Sequence, residues 1–233
     1  MVHSHTTVII TGGSSGIGHS IASKFSPLGY KVINISRNKS GIAGVIDLEA
    51  DLGKSNLGDI ENLLQPHLEY GKFIIIHNAF PYYKDTADRP DLDQIEGAFN
   101  CAIKAPMILN KIIIPLMQNG SSIVYIGSTL SMKAIGGSFS YITLKHAIIG
   151  MLRATVQDTF GKGIMSFCLC PGFTDTPMLT AHLNEVSLKT VTSNVSYNRL
   201  IQPDELATLI LKIIDTEVIN GAIINADLGQ YEN

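Results

Sequence analysis

Short apolar runs alternate along the chain with longer segments in which apolar residues recur at helical spacing. The short runs are rich in Val and Ile and lack a two-residue alternation, which is typical of parallel strands covered on both faces. They predict strands at residues 7–11, 31–35, 72–77, 122–127, 165–170 and 222–226, with a weaker run at 42–46. Their order predicts a doubly wound α/β sheet of about seven parallel strands with helices on both faces.

The helical segments each carry an apolar stripe, as expected for helices that pack against a sheet. No linker, repeat or shift in composition divides the chain, so we expect a single domain over residues 1–233. In open α/β sheets, ligands bind beyond the carboxyl ends of the strands, so functional residues are expected to follow strands. The stripes are Ile17, Ile21 and Phe25; Ile60, Leu63 and Leu64; Ile108, Leu109, Ile112 and Ile113; and Leu206, Leu209, Ile210 and Ile213.

Composition and charge narrow the class of protein. With 45% hydrophobic and 16% charged residues among 233, the chain is expected to build a sizeable core. A net charge of −3 gives no support to nucleic-acid or anionic-membrane binding. Cys101, Cys168 and Cys170 lack the spacing of a disulfide framework or a metal site, so no metal is expected. The absence of an export signal and of a long apolar run favours a cytoplasmic protein without a membrane segment.

A glycine-rich turn follows the first predicted strand and opens the first helix. Its sequence is Thr11-Gly12-Gly13-Ser14-Ser15-Gly16-Ile17-Gly18. Glycine lets the backbone turn sharply and approach a charged ligand closely, and the N–H groups at the start of a helix attract phosphate. The spacing alone is also compatible with a merely tight connection, but its place after the first strand favours nucleotide binding.

The second predicted strand ends in Ser36-Arg37-Asn38, where the choice between the two nicotinamide cofactors is usually made. An acid at this point meets a free ribose 2′-hydroxyl, whereas an arginine meets a 2′-phosphate. Position 36 carries no acid, and the permanently charged, forked guanidinium of Arg37 suits a phosphate. This favours NADP over NAD, and the alternative is that Arg37 is a solvated surface residue.

Tyr141 and Lys145 lie four residues apart at the start of a predicted helix, and therefore on one helix face. A nearby ammonium lowers the pKa of a phenol, and bringing it from about 10 to ~7 takes about 4 kcal/mol. Ser128 follows the predicted strand 122–127, where its hydroxyl could donate to a substrate carbonyl. Alone, each motif is weak, since Tyr-x-x-x-Lys is common in helices and Ser128 could simply form a turn.

Taken in order, these motifs resemble those of the short-chain dehydrogenase/reductase family, in its shorter, single-domain branch with a Rossmann-like fold. The likeness covers essentially the whole chain. Asp51-Leu52 resembles the pair that contacts the adenine, and His77-Asn78-Ala79-Phe80 resembles the Asn-Asn-Ala-Gly stretch after the fourth strand. Asn100 falls at the family's helix asparagine. Pro171-Gly172, with Thr174 and Thr176, resembles the segment beside the nicotinamide, and residues 221–229 resemble the closing strand.

The resemblance implies four catalytic residues. Tyr141 is the general acid in reduction and the base in oxidation, while Lys145 lowers its pKa and holds the nicotinamide ribose. Ser128 polarises the substrate carbonyl, and Asn100 supports a water linked to Lys145. The implied cofactor is NADP(H), and the residues expected to bind it are Gly12, Ser14, Ser15, Gly16, Ile17, Gly18, Arg37, Asn38, Asp51, Leu52, Asn78, Ala79, Tyr141, Lys145, Pro171, Gly172, Thr174 and Thr176.

The leading hypothesis is NADPH-dependent reduction of a small-molecule carbonyl, either a ketone or aldehyde or a 3-oxoacyl compound, to the alcohol. The alternative from another class is an NADP-binding sensor or scaffold without turnover, against which the intact tetrad argues. A nucleotide-sugar epimerase or dehydratase on this fold usually adds a sizeable substrate domain, for which the chain is short. The resemblance also implies a homo-oligomer, a dimer or tetramer, with a homotetramer as the preferred expectation.

Some features depart from the family pattern, and others stay open. Phe80 replaces a small glycine and either narrows the site or fills a gap in the core, while His77 replaces an asparagine and is given no catalytic role. The stretch between Arg37 and Asp51 is too short for a strand and a crossover helix of ~10 residues, so that helix is expected to be missing or reduced to a turn. Residues 177–200 are expected to form a mobile substrate lid. The expected pocket lining is Tyr82, Tyr83, Leu130, Met132, Phe139, Phe173 and residues 177–182.

Overall fold

The computed structural model describes residues 5–54, 57, 59–181, 185–193 and 195–230. Strands β1 to β7 in this part of the chain are Thr6–Thr11, Lys31–Ser36, Ile46–Glu49, Lys72–His77, Ser122–Ile126, Met165–Pro171 and Ile223–Ala226. Helices α1 to α8 are Gly16–Phe25, Asp59–Leu64, Leu92–Phe99, Ala105–Ile113, Phe139–Asp158, Pro177–Thr180, Glu185–Ser193 and Pro203–Ile213.

The strands form one sheet in the order β3-β2-β1-β4-β5-β6-β7, and every neighbouring pair is parallel. The predicted doubly wound sheet of about seven parallel strands is therefore confirmed. The strand order reverses between β1 and β4, and a crevice for ligands opens at such a point beyond the carboxyl ends of the strands. The turn after β1 and the loops after β4, β5 and β6 all lie at this edge.

The sheet separates two apolar cores, one on each face. Along β1, Ile9 belongs to one core, and Val8 and Ile10 belong to the other. Successive side chains of a strand point to opposite faces of the sheet. Because both faces are buried, apolar residues occupy every position, and polar and apolar residues do not alternate. Helices α4 and α5 cover the first face, and α1 and α8 cover the second. This arrangement explains the uniformly apolar strand runs of the sequence.

The third strand differs from the weak run predicted at residues 42–46. It begins at Ile46 and pairs with β2 from Ile33↔Ile46 to Ser36↔Glu49. Asp47 lies on this strand and accepts hydrogen bonds from Asn34 Nδ2 at 2.8 Å and from the Ser40 N–H at 2.9 Å. The predicted strand was misplaced because no apolar pattern marks its position. The strand is positioned instead by its pairing with β2 and by these polar contacts.

No crossover helix joins β2 to β3, as the short spacing predicts. Residues 37–45, all of which the structure describes, run as loop and turn. Ser40 and Asp47 hold this loop against β2 through Asn34. The edge of the sheet beside the end of β2 is therefore bordered by a loop instead of a helix.

A continuous helical segment, Leu92–Leu116, contains α3, a π-helical turn, α4 and a final 3-10 turn. Within the described part of the chain it is the one helix long and apolar enough to span a membrane by length and composition. Its residues Ala98, Ala102, Ala105, Leu109 and Ile113 are buried in the core of the domain. A core helix passes the same test of length and composition, and these buried residues pack this helix into the core on one face of the sheet.

Candidate active site

The glycine-rich turn joins β1 to α1 with almost no room for side chains. Gly12 and Gly16 have φ of 71° and 55°, in the left-handed region that glycine readily adopts. A Cβ on Gly18 would lie 2.3 Å from the carbonyl oxygen of Gly12, so the helix packs directly on the turn. The Ser15 side chain makes no capping hydrogen bond to the described residues, and the first N–H groups of α1 remain available to an anion. This cradle fits the pyrophosphate of a dinucleotide.

Two asparagines hold the turn in place. Asn34 on β2 is fully buried, and its Oδ1 accepts a hydrogen bond of 2.8 Å from the Gly13 N–H. Asn78, after β4, donates from Nδ2 to the carbonyl oxygens of Thr11 and Gly12 at 3.0 and 3.2 Å. The Thr11 hydroxyl in turn accepts from the N–H groups of Asn78 and Ala79 at 2.9 and 3.0 Å. The sequence did not indicate Asn34 as a site residue, because its role depends on a contact with Gly13, 21 residues away along the chain.

The loop after β6 closes on the same turn from the other side. A Cβ on Gly16 would lie 3.1 Å from Cγ2 of Thr176, and a Cβ on Gly172 would lie 2.6 Å from Oε1 of Gln230. Thr174 is buried and donates to the Gly172 carbonyl oxygen at 3.0 Å. Thr176, at the end of the expected segment that starts at Pro171, is thus brought beside the glycine-rich turn.

The residues expected to meet the adenosine half lie at the rim of the crevice. Arg37, Asn38 and Asp51 are exposed, whereas Leu52 is buried. Burial raises the pKa of the Cys101 thiol to about 12, and the charges of Arg37, Asp51 and Lys145 all act on this thiol. These three charged groups therefore lie near Cys101, although Lys145 is far from Arg37 and Asp51 in the sequence.

Ser128, Tyr141 and Lys145 come together beyond the carboxyl end of β5. Tyr141 and Lys145 are on the first turns of α5, as predicted, and Ser128 is close enough to Tyr141 to lower the pKa of its phenol. The Ser128 oxygen also accepts from the Leu130 N–H at 3.1 Å. Lys145 is buried and donates from Nζ to the Ile126 carbonyl oxygen at 3.0 Å. The two hydroxyls are thus adjacent, with the ammonium behind them.

The protein alone does not lower the pKa of Tyr141. The sequence predicts a phenol whose pKa is lowered by Lys145 together with a cationic nicotinamide. In the protein alone, burial raises the pKa of Tyr141 to about 12, and Ser128 offsets this only in part. Burial also lowers the pKa of Lys145 to about 8. The Lys145 Nζ lies 5.6 Å from the centre of the Tyr141 ring and makes its hydrogen bond to β5 instead. Desolvation is therefore the largest influence on the pKa of this phenol.

Asn100 begins the π-helical turn Asn100–Lys104. Its side chain is buried and donates to the Gly53 carbonyl oxygen at 3.2 Å. Single π-turns inside α-helices often mark functional sites, because they change the direction in which backbone groups point. Sequence periodicity did not predict this turn, although it did predict a helix here.

Two aromatic rings flank Tyr141 and come from the loop after β4. Phe80 and Tyr82 meet its ring edge to face, with ring centres 5.0 and 5.1 Å away. Phe80 also faces Lys145, whose Nζ lies 4.1 Å from the centre of the Phe80 ring. Of the two open alternatives for Phe80, the ring thus narrows the site, although it also packs against the core.

His77 and Asp85 take part in structural contacts beside the site. His77 is buried and shares a hydrogen bond of 2.9 Å with Asn110, and burial lowers its pKa to about 4. Asp85 is buried and accepts from the Ser140 N–H at 3.0 Å, so it caps the helix that carries Tyr141. Sequence reasoning missed Asp85, since several acidic residues of this loop look equivalent.

The residues expected to line the substrate pocket are half-buried or exposed. Tyr82, Tyr83, Leu130, Met132 and Phe173 are half-buried, and Phe139 is exposed. The expected lid contains the short helices α6 and α7. Residues 182–184 and 194, which belong to the predicted lining and lid, lie outside the described residues.

Comparison with known proteins identifies the family. Residues 6–186 match the short chain dehydrogenase family. The 3-oxoacyl-(acyl-carrier-protein) reductase of Thermotoga maritima is 25% identical over 237 residues, which cover 95% of this chain and 96% of that protein.

Solved structures show the same fold at lower identity. A 4-hydroxyisoleucine dehydrogenase complexed with NADH superposes with a TM-score of 0.89 at 20% identity, over 98% of this chain and 99% of the other. A gluconate 5-dehydrogenase from Beutenbergia cavernae, described as putative and NAD(P)-dependent and holding NADP, gives 0.88 at 20% identity, over 100% and 99%. With the family match over most of its length, the chain belongs to the short-chain dehydrogenase family of oxidoreductases.

Proposed function

We propose that this protein catalyses the NADPH-dependent reduction of a carbonyl group to an alcohol. The observation that carries the proposal is the meeting of Ser128, Tyr141 and Lys145 at the carboxyl end of β5. Ser128 is close enough to Tyr141 to lower the pKa of its phenol, so the two hydroxyls are neighbours and both can address one carbonyl oxygen. The proposal names Asn100, Ser128, Tyr141 and Lys145 as the catalytic residues.

In this proposal the chain supplies orientation and a proton. A nicotinamide cofactor, when bound, supplies the hydride that reduces the carbonyl carbon. The Ser128 hydroxyl donates a hydrogen bond to the carbonyl oxygen, and its own oxygen is fixed by the Leu130 N–H. Tyr141 donates a hydrogen bond to the same oxygen and transfers its proton as the alcohol forms. Hydride on carbon and proton on oxygen complete the reduction.

A protonated Tyr141 is the form that the reduction of a carbonyl requires. Because burial raises its pKa to about 12, the phenol keeps its proton at neutral pH and is ready to donate it. Oxidation of an alcohol would need the phenolate, which the same burial disfavours. The Lys145 ammonium, anchored on the Ile126 carbonyl, would hold the ribose of the cofactor and return a proton to Tyr141.

The choice of NADPH over NADH rests on the end of β2. Ser36 carries no carboxylate that could bind a ribose 2′-hydroxyl, and its own hydroxyl donates to the Asn38 carbonyl oxygen at 2.6 Å. The neighbouring acid, Glu49, forms an ion pair of 3.7 Å with Lys39. Arg37 is exposed beside them and offers its guanidinium to a 2′-phosphate.

The proposed substrate class is a ketone, an aldehyde or a 3-oxoacyl compound. The Thermotoga maritima relative acts, by its name, on a 3-oxoacyl group attached to a carrier protein. The half-buried Tyr82 and Met132 near the site give an apolar lining for such a chain. Because the two proteins share 25% of their residues, we propose the 3-oxoacyl thioester as the first compound to test.

The experiment is the oxidation of NADPH or NADH with a panel of carbonyl compounds, followed by absorbance at constant pH. The panel holds 3-oxoacyl thioesters, diketones, quinones and aldehydes. Turnover that prefers NADPH supports the proposal, and the best compound defines the substrate class. Cofactor binding without turnover of any compound would favour the sensor or scaffold alternative instead.

We also propose a cytoplasmic homo-oligomer, a dimer or a tetramer. Large apolar residues stay exposed on the long helical segment and at both ends of α5, namely Leu92, Phe99, Met107, Phe139 and Phe160. Exposed apolar groups of this kind suit contact with a second copy. Light scattering that gives the mass of a monomer would contradict this part of the proposal.

A further inference from the structure

The Phe80 ring lies directly over the Lys145 ammonium. Nζ of Lys145 is 4.1 Å from the ring centre on one side and 3.0 Å from the Ile126 carbonyl oxygen on another. This is a cation–π contact, in which the negative face of the ring attracts the charge. Only 3% of Lys145 is exposed, so the ring and β5 enclose the residue almost completely.

A hydroxyl group of a bound molecule cannot reach Nζ of Lys145 from the side that the Phe80 ring covers. A hydroxyl that bonds to Nζ has to approach to about 2.7–3.2 Å. With the ring centre at 4.1 Å, an oxygen at that distance on this side would overlap the ring carbons. The proposed role of Lys145 in holding a ribose therefore requires the Phe80 side chain to move.

The backbone around Phe80 is fixed on both sides. The Asn78 and Ala79 N–H groups bond to the Thr11 hydroxyl before it, and Asp85 bonds to Ser140 after it. The ring itself is half-buried, and the next residue, Pro81, is exposed. Rotation of the side chain toward solvent thus requires less disruption than opening of the loop.

We propose that Phe80 is a gate over Lys145: its ring covers the ammonium and has to swing away before the hydroxyls of a nicotinamide riboside can bind there. The inference rests on the proposed NADPH dependence. The closed position is stabilised by the cation–π contact and by the edge-to-face contact with Tyr141. Both contacts are lost on opening, so the ring weakens the binding of the nicotinamide half and leaves the adenosine half untouched.

The test compares two probes on the full-length protein. NADPH, followed by its fluorescence, carries the nicotinamide riboside, and adenosine 2′,5′-bisphosphate, followed by calorimetry, lacks it. Phe80→Ala removes the ring, and Phe80→Leu keeps apolar volume without an aromatic face. Tyr82→Leu is the matched control, because Tyr82 flanks Tyr141 as Phe80 does, and Phe80 is the ring that covers Lys145.

We expect Phe80→Ala to lower the Kd of NADPH about 2- to 30-fold, which corresponds to about 0.5–2 kcal/mol at 1.4 kcal/mol per tenfold. Phe80→Leu should give a smaller decrease, and the affinity for adenosine 2′,5′-bisphosphate should stay within about twofold in every variant. Tyr82→Leu should leave the Kd of NADPH within the same limit.

Three results would overturn the gate. The first is an unchanged Kd of NADPH in both Phe80 variants. The second is weaker NADPH binding by these variants, which would mean that the ring supports the cofactor. The third is an equal change in affinity for both probes, which would indicate a general disturbance of the protein. In each case NADPH binding by the unaltered protein would leave the proposed cofactor intact. If neither the unaltered protein nor Phe80→Ala bound either probe, the cofactor proposal would fail and the gate with it.

Discussion

The Asp85 carboxylate accepts hydrogen bonds from both the N–H and the hydroxyl of Ser140, and so joins the loop after β4 to the first turn of α5. The Asp85 carbonyl oxygen also accepts from the Phe139 N–H at 3.3 Å. A carboxylate at the start of a helix satisfies free N–H groups and complements the helix dipole. One buried acid thus positions both the loop with Phe80 and the helix with Tyr141.

Asp85→Ala should lower the free energy of unfolding by about 1–3 kcal/mol, because it leaves buried donors without an acceptor. Denaturant unfolding measures the change. Asp88→Ala, in the same loop but exposed, is the control and should stay within about 0.5 kcal/mol. In a double-mutant cycle with Ser140→Ala, strictly additive effects would show that the two side chains are not coupled.

The buried His77 should make the protein sensitive to acid. Its folded pKa, about 4, lies below the usual value of 6.5, so the unfolded chain binds a proton first as the pH falls. Stability is therefore complete above pH 6.5 and is lost between pH 6.5 and 4, by up to about 3 kcal/mol. Unfolding by denaturant at a series of pH values measures this slope.

His77→Asn provides the comparison, since it keeps a polar side chain that does not titrate in this range. The stability of this variant should fall less steeply than that of the unaltered protein between pH 6.5 and 4. His146→Asn alters an exposed histidine of α5 and should leave the slope as it is. If the stability of the unaltered protein and of His77→Asn fell equally steeply between pH 6.5 and 4, the assignment of this pH dependence to His77 would be contradicted.

Lys145→Met should stabilise the protein while it removes activity. Burial lowers the pKa of Lys145 to about 8, which means that the charged form is disfavoured inside the fold. An apolar side chain of similar length avoids that penalty, and we expect a gain of about 1–3 kcal/mol in the free energy of unfolding. Lys162→Met, at an exposed lysine, is the control and should change little. A large loss of stability would show that the contacts of the ammonium outweigh its desolvation.

Arg37→Ala should weaken NADPH binding and leave NADH binding unchanged. Loss of a charge-assisted contact to the 2′-phosphate corresponds to about a 10- to 100-fold rise in the Kd of NADPH. Titration with each cofactor measures both constants, and Arg153→Ala, an exposed arginine on α5, is the matched control. An equal effect on both cofactors would remove the basis for preferring NADPH.

The sequence predicted the strands in which burial on both faces of the sheet requires apolar residues throughout. Six of the strands were found near their observed positions because each is a continuous apolar run. The missing helix before β3 followed from chain length alone. The strand at Ile46–Glu49 was misplaced, since its position depends on a buried asparagine of β2 that no local pattern reveals.

The site was predictable only as far as its residues follow strands or share a helix face. Ser128 and Tyr141 could be placed together because one follows β5 and the other begins α5. The raised pKa of Tyr141 was not predictable, because desolvation is a property of the packed structure. The contact of Phe80 with Lys145 likewise joins residues that are 65 positions apart, and no spacing rule indicates it.

Tyr141→Phe tests the proposed reaction most directly. The measurement is the initial rate of NADPH oxidation with the best carbonyl compound, together with the Kd of NADPH. The variant removes one hydroxyl, so it should lower kcat by about 10²- to 10⁴-fold while the fold and NADPH binding are kept. Tyr70→Phe, at an exposed tyrosine outside the site, should keep the full rate. A Tyr141→Phe protein with undiminished kcat would contradict the assignment of this phenol as the proton donor.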